Sequence, residues 1–242
     1  MLLKNIFANY KIGTRLSSAF KEILFTVISI LIALFISKWD EDRKKLAAAN
    51  EFIKDINFEL KADTGVFNMV LRDIDDKIIN QKYILANSNL DKYTTNELFK
   101  FLDGNQYGIK QNDGAYTRMK GTDVFHVAKY EKLFKKFSIY YGHYTNYINN
   151  FNDYEIRYVD EAKQLYNLQD KLEIDIGDST SILQTETSRR QILLQLINTI
   201  KGRNGITATI HREKKMKIMY GEATTYARHL IIKTDSILAK NK

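Results

Sequence analysis

Cysteine and proline are both absent from the 242 residues. Without cysteine the chain has no disulfide, no thiolate nucleophile and no cysteine-based zinc site, and its redox compartment cannot be read. Without proline, and with only 11 glycines gathered mostly in a few clusters, long helices can run uninterrupted. The four histidines, His126, His143, His211 and His229, contain no His-x-x-x-His pair and no carboxylate at a metal-ligand spacing. Phosphate-binding glycine loops, a Gly-x-Ser-x-Gly elbow and a dinucleotide fingerprint are missing too. Arg118 with His126, and Arg203 with His211, both exceed the Arg-to-His spacing of helical nucleases of the HEPN type. Asp73, Asp75 and Asp76 cluster in sequence, but a helix points them in different directions. Catalysis, cofactors and metals are therefore not expected, apart from a constellation assembled in space near His126, His143 and the tyrosines.

What is present is one long apolar run within a charged chain. Residues 23–37 carry no charge, and eleven of them are Ile, Leu, Val or Phe. At about −0.3 to −0.6 kcal/mol each for insertion, these sum to roughly −3 to −7 kcal/mol, against small costs from Thr26, Ser29 and Ser37. Fifteen residues span only about 22 Å. Snorkelling of Lys21 and Lys38, with Phe20 and Trp39 at the borders, lengthens the run to a transmembrane helix over 20–39. Phe20, Lys21, Ile23, Leu31, Phe35, Lys38 and Trp39 are its expected anchor residues, with membrane lipid as partner. A signal peptide has the same form, but no small-x-small cleavage site follows Ile36. A buried core helix is the other alternative.

Charge is concentrated at the ends of the chain, whose net charge is +8. Residues 1–22 hold four basic side chains and one acid, and residues 201–242 hold ten against three. Residues 1–19 read as a basic interfacial segment broken at Gly13, suited to anionic headgroups. Aromatic residues do not interleave with the basic tail as a stacking platform requires, so nucleic acid is not an expected partner.

The expected fold is all-α, with the transmembrane helix continuing into a long-helix antiparallel bundle over 40–242. From Asp40 strong helix formers continue without a breaker. Ile53, Ile56, Leu60, Phe67, Val70 and Ile74 form a stripe at 3-4 spacing that ends near Ala86, with only Asp63 out of place. Its partner is either a later helix of the same chain or the same helix of another copy. Thr94 or Thr95 before Glu97 predicts a short helix over 98–102, followed by an irregular stretch over 104–114 that could hold a ligand loop. A second long helix is expected from Val127, with a stripe built largely of tyrosine that includes Tyr140, Tyr144, Tyr147 and Phe151. It closes a long hairpin over 40–176. A second hairpin over 181–240 starts at a Ser181 and Gln184 capping box and turns at Arg203-Asn204-Gly205.

Two segments carry a resemblance. One is Glu22-Ile23 through Ile30-Leu31-Ile32-Ala33-Leu34 to Lys38-Trp39-Asp40-Glu41. The other is Ala115-Tyr116-Thr117-Arg118-Met119-Lys120-Gly121 with Leu133 and Tyr140-Tyr141. Together they resemble an uncharacterised family of small single-pass membrane proteins common in Bacteroidota, through its Trp-acidic helix exit and its Tyr-x-x-Leu-x-x-x-Gly turn. Met119 replaces the family's leucine, and Gly121 comes slightly early. The resemblance implies an anchor and a helical domain in a bacterial inner membrane, and nothing catalytic.

Basic residues nearly balance across the anchor: Lys4, Lys11, Arg15 and Lys21 before it, and Lys38, Arg43, Lys44, Lys45 and Lys54 after it. The free amino terminus brings the first flank level with the second, and long domains cross regardless of charge; an inside amino terminus and a periplasmic domain are the expectation. The functional expectation is a scaffold or sensor-like protein that acts by binding a protein partner and by homo-oligomerisation. The alternative is an oligomeric effector whose clustered anchors form a pore, lined by Thr26 and Ser29, with a cytoplasmic sensor domain.

Overall fold

The computed structural model describes residues 3–102, 109, 111–166 and 183–240, with side chains described over 20–100, 109, 111–159 and 183–240. The described residues are all-helical. The first helix, α1 (Leu3–Ala86), is 84 residues long and runs without interruption through Gly13, where a break was expected. One glycine costs a helix only about 1 kcal/mol, too little to stop propagation between strong formers. α1 ends where the sequence predicts: the Asn87 backbone N–H and side-chain amide both donate to the Tyr83 carbonyl, at 3.0 and 2.8 Å.

α2 (Thr95–Leu102) starts at a reciprocal capping box. Glu97 accepts from the Thr94 N–H at 2.8 Å, while the Thr94 hydroxyl accepts from the Glu97 N–H at 3.2 Å. After α3 (Gly114–Lys120), two short 3-10 turns, Asp123–His126 and Ala128–Tyr130, lead into α4 (Glu131–Ile139). The single helix expected from Val127 is thus divided. A π-helical turn (Tyr140–Tyr144) separates α4 from α5 (Thr145–Tyr166). α6 (Glu186–Ile197) is capped by Thr185, which accepts from the Ser188 N–H. The expected cap Ser181, the expected helix end near Gly177, and most of the 104–114 stretch lie outside the described residues.

α7 (Ile200–Lys240) is the antiparallel partner of α1. Asn57 bonds to Asp235, Asn68 to Arg228, Asp75 to Lys217 and Lys77 to Glu213, so numbers rise along α1 as they fall along α7. The tyrosine-bearing segment also packs on α1, but its numbers rise with those of α1, from Tyr130 at Asn50 to Tyr140 at Asp63. The antiparallel partner of α1 is therefore α7 and not, as expected, the tyrosine helix. Stripes of one period cannot name their partner, and the 41-residue α7 has the length to follow α1. The expected turn at Arg203-Asn204-Gly205 is helical as well.

Two cores line the α1 and α7 seam. The one nearer the apolar run joins Ile53, Ile56 and Leu60 to Met119, Phe134, Phe137, Tyr140 and Leu230. The far one joins Phe67, Ile74 and Ile78 to Leu193, Ile197, Met219 and Tyr220. Residues 20–44 touch neither core and are all exposed. The most apolar window of this helix has a mean hydropathy of 2.1 and no buried residue. Among the described residues nothing buries this segment as a core helix would be buried, and it has the length and composition of a membrane span or an amino-terminal signal.

Candidate functional site

Asp63, which interrupts the 3-4 apolar stripe of α1, faces the core and is 3% exposed. The chain before α3 and the π-helical turn supply its partners. The Asn112 N–H and side-chain amide both donate to Asp63 Oδ1, at 3.1 and 2.8 Å. The Tyr140 hydroxyl donates to Oδ2 at 3.4 Å and accepts from Gln111 Nε2 at 3.4 Å. One turn earlier, Glu59 accepts from the Ala115 N–H at 2.8 Å. The π-helical turn explains how two adjacent tyrosines both point inward: its wider winding rotates Tyr141 towards α3 while Tyr140 keeps to Asp63. Tyr141 then stacks on Tyr116, with ring centroids 4.6 Å apart and planes at 12°.

Burial governs the charge states of this cluster. It pushes the Asp63 and Glu59 carboxyls above the usual carboxylate range, with the hydrogen bonds from Asn112 and Ala115 pulling back. Burial, reinforced by the neighbouring acids, holds both the Tyr140 and Tyr141 hydroxyls well above their ordinary value. These hydroxyls stay protonated, so they cannot serve as bases or nucleophiles near neutral pH. The cluster fixes the register of α1 against α3 and the π turn. Among the described residues, Tyr141 OH, Glu59 Oε2 and Gln111 Oε1 are buried with no hydrogen-bond partner.

A second polar layer crosses the far core. Lys77 and Glu213, each with its side chain 4% exposed, pair at 3.3 Å across α1 and α7. Arg212 pairs with Glu155 of α5 at 3.2 Å, donates to the Thr209 hydroxyl at 3.0 Å and lies 4.3 Å from the Tyr158 ring centroid. Burial pushes Glu213 up to about 7, with Lys77 opposing, and raises Glu155 against the pull of Arg212. Sequence reading missed all four charges. The signal was present, since Lys77 and Gln81 continue the buried phase of Val70 and Ile74.

The expected interaction stripe divides. Ile53, Ile56, Leu60, Phe67 and Tyr140 are all fully buried within the chain. Tyr144 and Phe151 are half-buried, and Tyr147 is 49% exposed, stacked on His143 with planes at 8°. Of the two partners open to the α1 stripe, the same chain supplies the one observed. His126 sits beside Phe125 and His143 beside Tyr144, on separate elements. Among the described residues no group of three or more His, Cys, Asp or Glu is placed to hold a metal. The expected anchor residues Phe20, Lys21, Ile23, Leu31, Phe35, Lys38 and Trp39 are all exposed along α1.

No family model, no curated protein and no solved structure matches the chain.

Proposed function

We propose that the chain is a membrane-anchored helical scaffold or sensor-like protein of a bacterial inner membrane, acting by binding and self-association without catalysis. The observation that carries this reading is the continuity of α1: one helix is wholly exposed over its apolar run and then becomes the central strut of a bundle. Such a helix ties the position of a bilayer span to that of a folded domain. The resemblance to the Bacteroidota membrane family points the same way, and a periplasmic bundle is the orientation put to the test. The pore reading has less support, because the Thr26 and Ser29 hydroxyls donate to the Glu22 and Phe25 carbonyls of their own helix, at 2.9 and 2.8 Å.

The test is alkaline extraction of membranes from cells expressing the full chain, with a side-sensitive reporter fused after Lys242. Retention of uncleaved protein and a periplasmic reporter signal are expected. Release into the soluble fraction, or loss of the amino-terminal run, would overturn the anchor. A cytoplasmic signal would reverse the orientation.

A further inference from the structure

The side of α1 turned away from the bundle carries an apolar patch that the described chain leaves uncovered. Phe58 is 76% exposed, Met69 62% and Val66 40%. Ala62 and Gly65 are exposed between them, and a Cβ added at Gly65 would meet nothing within 4 Å. At 3.6 residues per turn Phe58, Ala62, Gly65 and Met69 share one azimuth, opposite the buried Ile53, Leu60 and Phe67, over about 16 Å of helix. The two edges of the patch differ in sign: Lys54 and Arg72 lie along one, Asp55 and Asp73 along the other, all exposed. Asp55 keeps 52% exposure beside Arg118. Followed back towards the amino terminus, the same azimuth passes Glu51, which is exposed and pairs with Lys54 at 3.8 Å, then Ala47, and then Lys44 and Asp40, which pair within the helix at 2.7 Å. It then enters the apolar run at Ser37, Ala33, Ser29 and Thr26, all exposed.

We propose that this face is the seam of a parallel homodimer, in which α1 of a second copy lies alongside from Thr26 to Met69. The proposal rests on the membrane-anchored reading above and names the surface through which self-association occurs. A bilayer anchor gives every copy the same orientation, so the contact that the membrane imposes is parallel. In a parallel two-fold pair the basic edge of each helix meets the acidic edge of the other. An antiparallel pair would set basic against basic. Within the bilayer, Ser29, Ala33 and Ser37 form a small-xxx-small row that lets two backbones approach. Beyond it, Phe58, Val66 and Met69 leave water for each other.

The cysteine-free chain makes the test direct. Single cysteines are placed at Ala33, Ala62 and Met69 on the seam, and at Lys214 and Glu222 on exposed α7 as controls. A short thiol-reactive crosslinker is applied to native membranes containing the full chain. Seam positions are expected to yield about tenfold more dimer than the α7 positions. A Phe58→Asp, Met69→Asp variant with unchanged helicity by circular dichroism should lose that dimer from the Ala62 position. Dimer trapped equally or better through α7 would overturn the seam while leaving self-association standing. No dimer at any position would overturn both. Dimer undiminished in the double aspartate variant would remove the apolar patch from the contact.

Discussion

A carboxylate on the buried face of a helix either meets donors or forces the helix to turn it outward, because an unpaired buried charge is too costly to keep. Asp63 meets three donors, two from Asn112 and one from Tyr140. Asp63→Ala should therefore destabilise the bundle by about 1.5–3 kcal/mol, the worth of hydrogen bonds to a carboxylate, because the exposed Asn112 donors can turn to water while the buried Tyr140 hydroxyl loses its acceptor. Tyr140→Phe, which removes two long bonds, one to Asp63 and one from Gln111, should cost about 1 kcal/mol. Thermal unfolding in detergent, followed by circular dichroism, measures both, and equal losses would contradict the network. Glu213 makes a prediction of different form. Its folded value, near 7, lies above its unfolded one, so the folded state binds the extra proton. Stability from this group is full below the ordinary glutamate range and is lost as pH rises through about 7, at no more than about 1.4 kcal/mol per pH unit. Glu59, Asp63 and Glu155 are raised in the same sense. Wild type should melt higher at pH 5.5 than at pH 8, and Glu213→Gln should flatten that difference. A slope unchanged by the substitution would assign the dependence to other groups.

At the scale of elements, the corner between α6 and α7 closes directly over a glycine. A Cβ at Gly202 would lie 2.1 Å from the Leu196 carbonyl oxygen, a backbone atom that cannot move without shifting the end of α6. Gly202→Ala is expected to cost about 2–4 kcal/mol by overpacking. Gly221→Ala, in the same helix but with nothing within 4 Å, should be neutral or stabilising. Comparison of the two melting temperatures separates local crowding from helix propensity. The same corner shows why sequence misplaces a boundary. Asn204-Gly205 is a strong turn dipeptide, yet the reversal falls at Asn198 and Thr199, where the Thr199 hydroxyl accepts from the Gly202 N–H at 3.0 Å and starts α7. The end of α1 and the start of α2 were legible because Asn87, Thr94 and Glu97 act on their immediate neighbours. The α1 and α7 pairing was not legible, because every stripe in the chain has the same period and pairing depends on contacts far apart in sequence. Asp63 was visible as an anomaly, but its meaning waited on Asn112 and on a π turn. That turn leaves no residue signature, being a change in which carbonyl each N–H chooses.

Over the whole molecule, the consequence of a single α1 is that the bilayer span and the bundle share one rotational phase. Each residue added between them turns one by about 100° relative to the other. One alanine inserted after Arg43 would swing Phe58, Ala62 and Met69 away from the line of Ser29, Ala33 and Ser37. Seven inserted alanines come within about 20° of restoring it, while lengthening the stalk by about 10 Å. With reporter cysteines at Ala33 and at Ala62, the one-residue insertion should preserve dimer at one position and lose it at the other. The seven-residue insertion should recover both. Loss of dimer at both positions in both variants would mean that the length of the stalk matters and its phase does not. Dimer unaffected at both positions by the single alanine would show that span and bundle turn independently, and α1 would then be a tether in function despite its unbroken helix.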